Sequence, residues 1–193
     1  MLALIYNGVP SNDKDEIALE ICCQLLSNSQ KTGILDKLQL DGDIMSVGAS
    51  QNAMRDAGIL MINAIPSFDA NQNRWDSHKS VEKIVLSSLR QLQNGEFDEV
   101  TLEAIKQNMI REYDLQMESN EMKAYILASL FNTGADPSDI VNFKEKVKAV
   151  TIDEVKAVAK KYFNDNYLAL NIQEAKNLDS KGQKLKKPDY KPI

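Results

Sequence analysis

Gly58-Ile59-Leu60-Met61-Ile62-Asn63-Ala64-Ile65 is an almost continuously apolar run, and Pro66 ends it. A strand that is apolar on both faces belongs in the interior of its sheet. Working backward, the polar stretch Gln51-Asn52-Ala53-Met54-Arg55-Asp56 has the length of a hairpin connection. It leads to a partly alternating strand over 44–50. Asp41-Gly42-Asp43 is a turn signal, preceded by a short helical piece over 34–40. Further back, Ile17, Leu19, Ile21, Cys22, Leu25 and Leu26 build the broad apolar face of a helix that Asn12 or Asp13 can cap. The chain begins with a short apolar strand over 2–6, stopped by Asn7-Gly8 and Pro10.

Working forward, Asp69 to Asp76 reads as a polar loop, and the chain is then helical almost to residue 163. One helix carries Val81, Ile84, Val85, Leu86, Leu89 and Leu92 and closes at Asn94-Gly95. A second, capped by Asp98, carries Val100, Leu102, Ile105, Met109, Ile110 and Leu115. Ser119 caps a third with Met122, Tyr125, Ile126, Leu127 and Leu130, stopping near Gly134. Asp136-Pro137 opens a fourth, with a cap followed by an N1 proline. Thr151-Ile152-Asp153-Glu154 has capping-box spacing for a fifth, which packs Val155, Val158, Ala159, Tyr162 and Phe163. A final strand covers 167–172. This order predicts an α+β fold of two layers, a mixed or antiparallel β-sheet with one face covered by about six helices. Regular βαβ alternation is absent, which argues against a doubly wound parallel fold. The expected organisation is a single domain over 1–173 followed by a Lys/Pro-rich linker or tail over 174–193.

Composition narrows the function. The 193 residues are 43% apolar with a formal charge of -5, enough to bury a core without staples. The acidic balance argues against nucleic acid, whose phosphates demand surplus Lys and Arg. Lys181, Lys184, Lys186, Lys187 and Lys191 do gather near the end, where they read as a solvated linker. No apolar run approaches the roughly 20 residues of a membrane span, and no signal peptide is visible. A soluble protein, cytoplasmic or periplasmic, is expected. The abrupt start in a strand-like segment suggests a fragment.

Catalytic chemistry finds little support. Zinc needs three or four converging Cys, His or carboxylate ligands, and the chain has one histidine, His78. It is read as a solvated residue just before a helix. Cys22 and Cys23 are adjacent, so they can rarely form an unstrained disulfide, and on a helix they diverge by about 100°. They are read as core side chains. Neither H-E-x-x-H nor H-x-x-E-H nor G-x-S-x-G occurs. Ser77-His78, or Ser80, is a nucleophile–base pair only by sequence proximity. Asp13/Asp15, Asp98/Glu99 and Asp153/Glu154 fall mostly in first helical turns, where they meet the helix dipole favourably. No catalytic, cofactor-binding or metal-ligating residue is therefore assigned. An exposed sheet edge is compatible with strand addition by a partner.

Several segments resemble the non-catalytic halves of pitrilysin/insulinase-type zinc metallopeptidases. Asp15-Glu16-Ile17-Ala18-Leu19 with Leu25-Leu26 is similar to their first helix, followed here by Ile34-Leu35 and Leu38, and Asp56-Ala57-Gly58-Ile59-Leu60 to a d-x-G-x-f strand start. Leu92-Gln93-Asn94-Gly95-Glu96-Phe97-Asp98-Glu99 looks like the family's l-x-x-G-x-f-t-x-x-E-l helix junction. Val147 to Val155, followed by Ala159-Lys160-Lys161-Tyr162-Phe163, resembles its I-x-x-V-T-x-e-D-V-x-x-v-A-x-k-Y-f segment, the most specific of these matches. The tail, from Lys187 to Ile193, looks like the linker leaving the second domain of the long bacterial members.

The resemblance implies a LuxS/MPP-like peptidase half. In active members H-x-x-E-H and a distant glutamate hold zinc; here Leu19, Cys22 and Cys23 stand in place of the three motif residues. An Arg and Tyr pair that active partners contribute is also missing, Met45 standing near the Tyr position and Leu38 or Gln39 near the Arg position. The implied role is a non-catalytic domain in the wall of a peptide-enclosing chamber. Zinc is expected in the catalytic domain of the parent protein and none in this chain. The implied partners are other domains of the same polypeptide and unfolded peptide substrate, with no nucleic acid and no membrane. The acidic balance favours basic or neutral peptides only weakly, because exposed charges are screened within about 10 Å at 0.1 M salt. The alternative is an inactive homologue serving as a structural or processing-partner subunit.

Overall fold

The computed structural model describes residues 1–67, 74–134, 136 and 138–172, the side chains of 74–78 and 139 excepted. In chain order the elements are β1 (Leu2–Gly8), α1 (Glu16–Leu26), α2 (Ile34–Leu40), β2 (Ile44–Ala53), β3 (Gly58–Pro66), α3 (Arg74–Asn94), α4 (Glu99–Glu118), α5 (Asn120–Thr133), α6 (Ser138–Ala149), α7 (Ile152–Tyr162) and β4 (Leu168–Asn171). The sheet order is β2-β3-β1-β4, and every pairing is antiparallel. The α+β expectation holds, with seven helices where about six were expected and no parallel pair among the described residues.

β3 lies between β1 and β2, as its apolar run requires. Alternation divides its side chains. Leu60, Ile62 and Ala64 are buried opposite Tyr6, Leu4 and Leu2 of β1, while Ile59, Met61 and Ile65 lie on the other face and stay half-buried. β2 runs to Ala53, so Gln51-Asn52-Ala53 belong to a strand, and the reversal is confined to 54–57, where the Met54 N–H donates to the Ala57 carbonyl at 2.8 Å. The polar end of β2 looks like a loop in sequence because an edge strand gives up part of its burial. A register irregularity between Ile44 and Ser46 lets Ile44 and Val47, three residues apart, both reach the core. At the other end of the sheet Gly58 is obligatory, since a Cβ there would meet the Val9 carbonyl oxygen at 2.0 Å.

The helices pack on one face of this sheet. α1 buries Ala18, Leu19, Ile21, Cys22, Cys23, Leu25 and Leu26; α3 adds Val81, Val85, Leu89 and Leu92, and α7 adds Val155, Val158 and Ala159, with Phe163 just beyond. Asp98, Ser119 and Thr151 cap α4, α5 and α7 by accepting from the N–H groups of Thr101, Met122 and Glu154. Asp136 accepts from Ser138 N–H at 2.8 Å ahead of α6; Pro137 lies outside the described residues.

Three local expectations change. α1 begins after Asp15, not at a cap from Asn12 or Asp13. The Asp15 carboxylate makes no cap because Lys161 and Tyr162 of α7 donate to it at 2.7 and 2.8 Å. α3 already starts at Arg74, which shortens the loop expected over 69–76 and puts His78 inside the helix; residues 68–73 lie outside the described residues. α5, expected as a helix carrying Met122, Tyr125, Ile126, Leu127 and Leu130, forms but buries none of its side chains. The expected tail over 174–193 also lies outside the described residues.

Candidate functional site

The place to look for catalytic chemistry is α1, and its packing decides what it can do. Leu19 and Cys22 have no solvent exposure and Cys23 has 1%. All three face the core because α1 spends its apolar stripe on the sheet and on α3, α4 and α7. The Cys22 thiol donates a long hydrogen bond, 3.7 Å, to the Val155 carbonyl of α7. Burial pushes both thiols well above their usual range; for Cys23 the charge of Glu20 and the neighbouring Cys22 add to it. A thiol held protonated is neither a nucleophile nor a metal ligand. Of the positions compared with the Arg and Tyr pair, Leu38 is half-buried, the Gln39 side-chain oxygen accepts from Lys31, and Met45 is exposed. The side chains of Ser77 and His78 lie outside the described residues; Ser80 is exposed. Among the described residues no group of three or more His, Cys, Asp or Glu could hold a metal ion.

Two ionisable groups missed by the sequence reading are buried, and both hold backbone in place. Asp36 accepts from Ser27 Oγ at 2.8 Å, from Asn28 N–H at 2.9 Å and from Gly33 N–H at 3.1 Å, with Lys31 at 3.5 Å. It closes the loop between α1 and α2. Lys106 donates to the Val150 carbonyl at 2.9 Å and to Glu103 at 2.7 Å, tying α4 to the α6–α7 junction. The signal for either lay in which loop or helix folds over it, which spacing along the chain does not carry.

Among the described residues, the face of the sheet turned away from the helices is left uncovered. Ile5 of β1 and Ile59, Met61 and Ile65 of β3 lie there half-buried. Leu168 and Leu170 of β4, paired with Ile5 and Ala3, extend it and are exposed. Asn7, Asn63, Ser50 and Asn52 supply amide and hydroxyl groups on the same side. Its two edges differ: β2 offers ten residues and β4 four. The face can bind extended chain through apolar contact and, at an edge, through backbone hydrogen bonds. The acid–base pair needed to cleave a bond is not among the described residues of this face.

A groove of about 530 Å³ lies on the helical side, between α1, the end of β2, α4, α5 and α6. Glu16, Glu20 and Glu112 share it with Ile17, Met109, Ile126 and Lys146. Burial raises the Glu20 carboxyl; Glu112 adds to this, and the hydrogen bond from Gln24 opposes it.

No curated protein sequence matches the chain. Among solved structures, a protease from Helicobacter pylori superposes with a TM-score of 0.75 at 20% identity, over 87% of this chain and 40% of its own. A peptidase M16 inactive domain from Pseudomonas fluorescens gives 0.72 at 18% identity, again over 87% of this chain and 40% of its own. An inactive peptidase domain from Bordetella parapertussis gives 0.70 at 15% identity, over 87% of this chain and 88% of its own. The chain thus spans well under half the length of the first two. A family model described as the peptidase M16 inactive domain matches residues 1–109. That match runs from β1 through the core-forming α1, the hairpin and α3 into α4, and with it the chain belongs to the peptidase M16 inactive-domain family.

Proposed function

We propose that this chain is a non-catalytic domain of a zinc-dependent metalloendopeptidase and forms part of the wall of its peptide-enclosing chamber. The observation that carries this reading is the filled core at α1: Leu19, Cys22 and Cys23, which stand where the family's ligands would be, are packed against the sheet and α7. Zinc and the catalytic carboxylate then belong to another domain of the same polypeptide. The uncovered apolar face of the sheet suits a wall, because unfolded peptide can slide over Ile5, Met61, Leu168 and Leu170 without a fixed register. Among the described residues no helix is long and apolar enough to cross a membrane.

The test compares this chain with the full-length polypeptide by metal analysis and by hydrolysis of unfolded peptides. The chain alone is expected to retain no stoichiometric zinc and to cleave nothing, while the full-length protein holds zinc and loses activity to a chelator. Stoichiometric zinc with chelator-sensitive cleavage by the chain alone would overturn the reading.

A second reading, an inactive homologue acting as a structural or processing-partner subunit, draws support from a Candida albicans complex III chain. It has the same fold at 12% identity and a TM-score of 0.70. A full-length polypeptide without any H-x-x-E-H segment would favour that reading.

A further inference from the structure

α5 is an apolar helix that the described residues of its own chain do not enclose. At 100° per residue, Met122, Ile126 and Leu130 share one side, and Leu127 and Phe131 lie about 120° around the helix from them. Ile126 and Leu130 line the groove above α1, while Leu127 is 52% exposed and Phe131 86% exposed. A helix apolar over so wide an arc is the pattern of one that protein covers on more than one side. Yet none of the residues of α5 is buried, and the helix packs chiefly against α4. Its ends are nonetheless well formed: Ser119 caps the start, and Gly134, at φ 74°, closes the end by donating to the Leu130 and Phe131 carbonyls. The chain therefore specifies this helix firmly and leaves its sides open.

Resting on the reading of the chain as one domain of a longer peptidase, we propose that α5 is the docking helix for a neighbouring domain of the same polypeptide. That domain covers Leu127 and Phe131 with an apolar surface of its own. The choice of occupant follows from length. In the Helicobacter and Pseudomonas proteins this fold takes up 40% of the chain, leaving room beside it for at least one more domain of similar size. An intramolecular neighbour also has a high effective concentration, so a helix-sized apolar patch is enough to hold it.

Hydrogen exchange on the 193-residue chain and on the full-length polypeptide tests this. The amides of 126–133 are expected to exchange at least about tenfold more slowly in the full-length protein, because docking closes their local opening. The double substitution Leu127→Glu, Phe131→Glu should leave the melting temperature of the 193-residue chain unchanged and abolish the extra protection in the full-length protein. Equal exchange in both proteins, protection that survives the double substitution, or a natural polypeptide of only these 193 residues would each overturn the proposal. So would self-association of the 193-residue chain that by itself protects α5, since a second copy would then be the occupant. Protection of α5 in a full-length protein without zinc would sink the peptidase reading and leave this one standing.

Discussion

α1 and α5 are both apolar helices, and the fold treats them in opposite ways. α1, with eleven residues, buries seven of them. α5, with fourteen, buries none. Composition explains only part of the difference, since α5 still carries Met122, Tyr125, Ile126, Leu127, Leu130 and Phe131. What else differs is place. The apolar residues of α1 meet the sheet on one side and α3, α4 and α7 on the others, whereas α5 packs chiefly against α4. Hydrophobicity says that a helix will be covered; geometry decides by what.

This contrast can be broken most forcefully at Cys22. Cys22→Glu would place a carboxylate in a fully buried, apolar position beside Val155, and a buried charge without a partner costs on the order of 4 kcal/mol or more. Chemical denaturation should show the domain close to unfolded. A variant as stable as the parent would mean that α1 has a route to solvent, and the description of its packing would fail.

The contrast is sharpened by matched truncations. Leu25→Ala in α1 is expected to cost about 2–5 kcal/mol, because the site is enclosed and leaves a cavity. Leu127→Ala in α5 should change stability by no more than about 0.5 kcal/mol in the 193-residue chain. Similar midpoint shifts for the two in urea would remove the distinction between them.

The smallest expected effect concerns how the ends of α1 and α7 are held together. Burial alone would raise the Asp15 carboxyl, but the hydrogen bonds from Lys161 and Tyr162, with the charges of Lys161 and Lys14, hold it below its usual range. Its folded value is therefore below its unfolded value. The stabilisation is complete above the ordinary carboxylate range, near pH 4, and disappears as pH falls through the lowered value. Asp15→Asn should lower stability at pH 7 and narrow the gap to the parent as the pH is taken from 5 toward 2. A gap of constant size across that range would show that the carboxylate charge contributes nothing.

Much of the fold was legible because its signals are local. The caps at Asp98, Ser119 and Thr151, the closing glycines Gly95 and Gly134, and the apolar run of β3 each act within a few residues, and each lies where the chain order required. The errors share a cause. Gln51-Asn52-Ala53 read as a turn because an edge strand lacks the apolar pairing that marks an interior one. The cap of α1 was expected from Asn12 or Asp13, whereas Asp15 stands at the N-cap position and its carboxylate answers Lys161, 146 residues away. Asp36 and Lys106 carried no signal at all, since a charged residue looks solvated until a loop or a helix junction closes over it.

By itself the sequence determined the succession of strands and helices, the α+β class, and the apolar side chains at Leu19, Cys22 and Cys23. Those depend on periodicity and residue type, which can be read along the chain. Only the tertiary structure decided that these three side chains are sealed in the core and that, among the described residues, β2 and β4 are the edges, one face of the sheet is bare and α5 has no cover. Each of these is a relation between elements distant in sequence, and burial is fixed by what lies opposite a side chain in space.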